Sequence, residues 1–181
     1  ISACLVGSEM CIRDRYSKAT NLINTCMLIT CSFIFLSWTL YLYVIHRIIH
    51  KVGLSYFPIA FKAHADHHKY INTHDQTKWH WNNLFLFNDT WTSTLDLWIT
   101  EVIPTIVFSA VTGHWWILAF YYVWAALIQE TIEHNPNINF YPFITSGKWH
   151  LIHHRDNGSN FGLFFPIWDI LFKTHKKIEV A

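Results

Sequence analysis

The histidines of this sequence are clustered rather than scattered. There are 13 of them, against 12 Asp and Glu combined, and three groups hold most of them. His46-Arg-Ile-Ile-His50 reads HxxxH, while His64-Ala-Asp-His67-His68 and His150-Leu-Ile-His153-His154 both read HxxHH. On a helix, positions i, i+3 and i+4 share one face, so each group aims two or three imidazoles in one direction, as chelation of a metal ion requires. These eight imidazoles are too many for one ion and suit two. Imidazole serves iron, zinc, copper and nickel alike. The sequence has no carboxylate-rich motif. That argues against the helical bundles that hold two irons through Glu and Glu-x-x-His. It argues equally against calcium or magnesium, which want oxygen ligands. His80, His114 and His175 stand apart and are expected to be ordinary surface or core residues.

The elements that must position these groups are apolar. Of 181 residues, 52% are hydrophobic, 18% aromatic and 14% charged, against about 25% charged in a typical soluble domain. That is more large apolar surface than one small globule buries, and a bilayer is the natural place for the excess. A net charge of +1 with no Lys/Arg-rich stripe argues against a nucleic-acid partner. Cys4, Cys11, Cys26 and Cys31 form no CxxC pair, so neither a disulfide framework nor a cysteine metal site is expected.

Residues 22–45 carry no charge. At about 1.5 Å rise per residue they can span a hydrocarbon core of roughly 30 Å. Residues 97–111 and 115–128 are shorter apolar stretches separated by Thr112-Gly113-His114, which predicts a tight helical hairpin. Glu101 and Pro104 lie in its first arm. The acid must face protein or water, and the proline is expected to kink the helix. Residues 51–90 are polar, with Lys51, Lys62, Lys69 and Lys78, a predicted helix over 57–70, and Trp79, Trp81 and Trp91 suited to a membrane interface. A short amphipathic helix is expected over 165–172. Residues 1–15 fit nothing that follows and are expected to be a non-native or disordered segment, in which case the natural N-terminus is missing. The reading is of an all-α integral membrane protein with one domain over 16–181. It has about three transmembrane helices, one long span plus a short hairpin, and a histidine-rich cap.

This topology brings every histidine group to one side. The first span ends at His46 and His50, the chain stays on that side through His68, and the hairpin crosses and returns near His134. The basic loop identifies that side as cytoplasmic. His114, at the hairpin tip, is left on the opposite side.

The order HxxxH, HxxHH, HxxHH, with an apolar hairpin between the second and third boxes, resembles the fatty acid hydroxylase/sterol desaturase superfamily of membrane histidine-box di-iron enzymes. The closing segment is similar too: a single His134, then the triplet His150/His153/His154, then Asn160-Phe161-Gly162, then Trp168-Asp169 through Phe172 and Thr174. The resemblance covers about residues 20–176. It implies that His46, His50, His64, His67, His68, His134, His150, His153 and His154 ligate two iron ions, with zinc able to occupy the same ligands. Some relatives carry a further histidine four residues before the one matching His134; here that position is Glu130, beside Gln129, and His74 is a candidate substitute. Asp66, Glu130, Asp156, Asn160 and Asp169 are candidates to support the ligands from behind, because ligating imidazoles donate their second N–H to a carboxylate or carbonyl.

The chemistry so implied is oxygen activation at a reduced di-iron centre, with hydrogen abstraction from an unactivated C–H bond to give a hydroxyl group or a double bond. The substrate would be a lipid, of sterol or fatty-acyl type. Phe33, Phe35, Trp38 and Tyr41 are candidates to guide its tail, although packing or lipid-facing roles suit them equally. No reductase, flavin or haem motif is present, so electrons must come from a separate electron-transfer protein. The expected location is the endoplasmic reticulum or bacterial inner membrane. The competing readings are a membrane metal-binding or transport protein and a catalytically inactive relative. A transporter predicts ligands near the bilayer midplane, whereas these histidines fall at the ends of spans.

Overall fold

A computed structural model describes residues 2–74 and 79–176, with side chains from residue 17 onward. Lys78 and the side chains of Cys4 and Cys11 lie outside the described residues. Among the described residues there is no strand, only an isolated antiparallel bridge between Asn139 and Gly147. The chain divides into two compact units, Ile1–Ser37 and Trp38–Ala181.

Helix α1 (Ser2–Tyr56) is longer than the predicted span at both ends. Charged and polar residues do not stop a helix; glycine and proline do, and the first of either after Gly7 are Gly53 and Pro58. His46 and His50 therefore sit inside α1, one turn apart, rather than in a flank beyond it. In the first unit, Leu22, Ile23, Met27, Leu28, Ile29 and Phe33 are all exposed.

In the second unit, α2 (Pro58–Ile71) opens on Pro58, whose missing N–H costs nothing in a first turn. Its buried face holds Ala60, Ala63, His64, His67, His68 and Ile71. The two alanines let α3 (Trp91–Leu97) pack close, and Thr90 caps α3 by accepting from the Ser93 N–H at 3.0 Å. A π-turn at Trp98–Val102 joins α3 to α4 (Ile103–Thr112). The hydrogen bond that Pro104 cannot donate would have gone to Thr100, inside that turn, so the expected disturbance takes the form of a π-turn. Gly113, in the left-handed conformation at φ 75°, ends α4 and turns the chain into α5 (Trp115–Trp124). A second π-turn, Ala125–Gln129, leads into the one-turn helix α6 (Glu130–Ile132). The predicted hairpin is thus present. Ile103, Val107, Val111, Phe120, Val123 and Leu127 lie exposed on it. Among the described residues, two helices are long and apolar enough to cross a membrane, Ser17–Tyr56 and Trp91–Thr112, against the expected three.

Helix α7 (Lys148–Arg155) carries the last histidine group, and α8 (Ile167–Leu171) falls inside the predicted 165–172. The C-terminal segment folds back on α1. Tyr43 pairs its hydroxyl with Thr174 Oγ1 at 2.8 Å, and Trp168 Nε1 donates to Thr39 Oγ1 at 3.0 Å. Trp38 is fully buried, donates to Thr105 and packs on Phe164. It is a core residue rather than a wall of an open lipid channel. Tyr41 packs against Phe108, and Phe33 is exposed.

Candidate metal centre

Four segments of the second unit converge on one point. Helix α1 brings His46 and His50, α2 brings His64, His67 and His68, α7 brings His150, His153 and His154, and His134 follows α6. Their ring nitrogens fall into overlapping groups within which every potential ligand atom lies within 4.8 Å of the others. One group is His46, His50, His64, His68 and His153. The others are His67, His134 and His154, and Glu133, His134 and His150. Successive helical residues point about 100° apart. Each adjacent pair, His67/His68 and His153/His154, therefore divides between the two sides of the cluster, whereas residues one turn apart, such as His64 and His68, stay together.

The spacing tests whether metal ions fit. Nε2 of His64 lies 2.8 Å from His50, 3.1 Å from His46 and 3.1 Å from His68. Nε2 of His50 lies 3.1 Å from His153, and on the other side His154 lies 2.9 Å from His150. Imidazoles bonded at about 2.1 Å to one ion sit about 3.0 Å apart at a right angle and about 3.4 Å apart at a tetrahedral angle. The observed distances lie close to the shorter of these ligand spacings. His134 makes the same point differently: both its ring nitrogens are buried and, among the described residues, without a hydrogen-bond partner. Burial leaves such atoms unsatisfied unless something absent from the protein chain meets them. The residues fit metal binding.

Metal binding requires neutral rings. Burial, reinforced by the neighbouring imidazoles, holds His67, His134, His150, His153 and His154 well below the usual imidazole range and His68 down to about 3.

The far ring nitrogens fix which nitrogen points inward. His46 Nδ1–H donates to the Phe161 carbonyl and His153 Nδ1–H to the Ser159 carbonyl, each at 2.8 Å. His64 Nδ1–H donates to both oxygens of Asp96 at 2.9 and 3.0 Å. A protonated Nδ1 leaves the Nε2 lone pair for a metal. Asp169 acts one step further back. It is fully buried and accepts from the N–H groups of Phe161 and Gly162 and from the Thr174 hydroxyl at 2.8, 2.9 and 2.7 Å. It thereby grips the loop whose carbonyls hold His46 and His153. Asn160, at φ 54°, ties the same loop to the Lys176 backbone.

The remaining candidates differ in their placement. Asp66 is half-buried on α2, and the carboxylate hydrogen-bonded to a box histidine is that of Asp96. Asp156 accepts from Lys176 Nζ at 2.8 Å and from the Gly158 N–H, on the surface beyond the end of α7. Glu130 lines the cavity against the histidines but is not among the clustered ligand atoms; Glu133, one turn on, is. Burial pushes the Glu130 carboxyl up to about 7. His74 is exposed, bonded to Thr73 and stacked on Tyr70, so it replaces no ligand. His80, His114 and His175 also lie outside the groups.

Asp96, beside an apolar stretch, was legible only through the signal that picked out Glu101, an acid among apolar residues; Glu133 lies in a polar segment and gave no such signal. Glu101 itself faces protein. It accepts from Tyr121 and from Gln129, at 3.2 and 3.1 Å. The two π-turns bring Glu101 and Gln129 together. These residues, with Asp96, Glu133, His46, His64 and His134, line a cavity of about 30 Å³, room for about two water-sized molecules.

Helical architecture and clustered imidazoles define a membrane-type histidine-box protein. The family comparison is specific: the fatty acid hydroxylase pattern matches residues 31–174, and the chain belongs to that family, within the fatty acid hydroxylase/sterol desaturase superfamily. No curated protein and no solved structure matches the chain. The family is one of oxidoreductases acting on lipids, and with two apolar helices it indicates membrane association.

Proposed function

We propose that this protein is a membrane-bound, O2-dependent di-iron oxidoreductase that hydroxylates or desaturates a sterol or fatty-acyl lipid. The observation that carries this reading is the convergence of nine box histidines, with Nε2 atoms about one ligand spacing apart and three of the rings anchored through Nδ1. His46, His50, His64, His68 and His153 would hold one iron, and His67, His134, His150 and His154 the other. Bound iron, reduced by an external electron-transfer protein, supplies the oxygen-activating chemistry for breaking an unactivated C–H bond.

The chain's own residues supply the setting. Burial keeps the rings of His67, His68, His134, His150, His153 and His154 neutral and excludes bulk water. Asp96, Ser159 and Phe161 fix ring orientation, and Asp169 holds the loop that carries two of these acceptors. A nearly all-apolar groove of about 490 Å³, lined by Trp98, Val102, Ile106, Leu118 and Tyr121 among others, suits a lipid tail. Tyr121 belongs to both regions: its ring lines the groove and its hydroxyl donates to Glu101, a wall of the small cavity. The histidine cap would face the cytoplasm from the endoplasmic reticulum or bacterial inner membrane, with α5 completing a third crossing.

The test is expression in a lipid-producing host with mass spectrometry of the lipids. A new hydroxylated or desaturated species should appear with the natural chain and vanish with His67→Ala and with His153→Ala. Full product from either variant would sink the site assignment.

A further inference from the structure

We propose that Glu133 supplies a carboxylate oxygen to the iron held by His67, His134, His150 and His154, so that the two metal positions are chemically unequal. This rests on the di-iron reading above and adds to it a ligand that the histidine boxes do not contain.

The argument starts from the imbalance between the two sides of the cluster. One group gathers five imidazoles, whereas the other four histidines fall into two groups that share His134, one with His67 and His154 and one with His150 and Glu133. A further donor is missing where the sequence has Glu130 in place of a histidine. The carboxylate that meets the cluster is instead Glu133, one helical turn later. Its oxygen falls in one group with ring nitrogens of His134 and His150. Oε1 lies 3.8 Å from His150 Nε2. That is beyond hydrogen-bond reach but within the roughly 4.2 Å that two ligands on one ion can span at bonds of about 2.1 Å. Glu133 is 4% exposed and its carboxylate accepts from the Gln129 side chain, so bulk water cannot supply its remaining partners. His134 is buried beside it with both ring nitrogens unpartnered among the described residues. A cation between Glu133, His134 and His150 meets all of these demands together, and its charge compensates a buried anion that would otherwise be expensive.

The fold holds Glu133 in place independently of its side chain. Its carbonyl accepts from the Gly147 N–H at 2.9 Å, which ties the residue to the start of α7. Gly147 has φ 76°, and a Cβ there would collide with the Ile138 carbonyl. The backbone on both sides of Glu133 is thereby registered against the helix that bears His150 and His154.

The experiment uses the full chain in detergent, loaded anaerobically with isotope-enriched ferrous ion and examined by Mössbauer spectroscopy, with iron content and a chelator competition alongside. The expected result for the natural chain is two irons per chain in two distinct quadrupole doublets of equal area. In Glu133→Gln one doublet should shift or disappear, and the affinity of one iron should fall on the order of 100-fold, the upper end of what even outer partners of a metal site cost. Glu133→His, which restores a donor, should keep two irons. Two irons in a single doublet in the natural chain would overturn the proposal even if the variants fail to fold. So would a Glu133→Gln protein with unchanged spectrum and affinity; in both cases the di-iron reading would stand. A natural chain that takes up no iron would instead overturn the di-iron reading itself, and this proposal with it.

Discussion

An imidazole can hold a metal through one nitrogen only if the other is dealt with, and in this protein the second nitrogen is where sequence patterns stop being informative. His46 and His153 give theirs to backbone carbonyls, and His64 gives its to Asp96. Asp96→Asn can present an N–H to His64 in place of an acceptor and favours the wrong tautomer. We expect iron affinity to fall roughly 10- to 100-fold with helical content unchanged, measured by chelator competition and circular dichroism. The buried rings also make stability pH-dependent. Their folded values lie below the unfolded value of about 6.5, so below that pH the unfolded chain binds more protons than the folded one. The rings' contribution to the stability of the metal-free protein should be fully present above about pH 6.5 and be lost as pH falls toward the folded values, about 3 for His68. Glu130, raised to about 7, works in the opposite direction but is outnumbered by the six lowered rings. Thermal unfolding of the chelator-treated protein should show a lower midpoint at about pH 5.5 than at about pH 7.5; an equal or higher midpoint would contradict the buried, neutral state of the rings.

At the level of elements, the helices do what their periodicity dictates, and the joints decide the site. Helix α2 and the hairpin turn at Gly113 lie close to where apolar spacing and turn residues put them. Helix α1 overruns its predicted end because nothing before Gly53 stops it. The π-turns at Trp98–Val102 and Ala125–Gln129 had no such signature, since a one-residue widening leaves the apolar pattern nearly intact. Two joints can be tested. Gly147→Ala should destabilise the fold by roughly 1–3 kcal/mol from backbone strain alone and more through the collision with Ile138, read as a lower unfolding temperature. Asp169→Ala leaves the N–H groups of Phe161 and Gly162 and the Thr174 hydroxyl without their shared acceptor, at about 1–3 kcal/mol for each group that stays buried. Because that loop carries the acceptors for His46 and His153, iron content should fall together with stability.

For the molecule as a whole, the proposed membrane insertion places the exposed apolar residues of α1, α4 and α5 against lipid. The protein should stay with the membrane fraction through alkaline carbonate washing and come into solution only with detergent; release by carbonate would refute membrane insertion. Metal and fold are coupled at this scale, since the ligands come from α1, α2, α7 and the segment after α6. A ligand present at 100 times its dissociation constant stabilises by about 2.7 kcal/mol. Stripping iron with a chelator should therefore lower the unfolding temperature by several degrees, and adding ferrous ion back should restore it.

By itself the sequence determined the all-helical class, the histidine boxes and the family they belong to, and the apolar stretches that suggest a bilayer. Each of these depends on residue type at short spacing, which a linear pattern records directly. Only the tertiary structure decided how the adjacent histidines divide between side-chain groups, that Asp96 rather than Asp66 bonds His64, and that Glu133 rather than Glu130 joins the cluster. Those outcomes depend on rotation about helix axes and on contacts such as His46–Phe161 and His64–Asp96, which join residues far apart along the chain and leave no local signature in it.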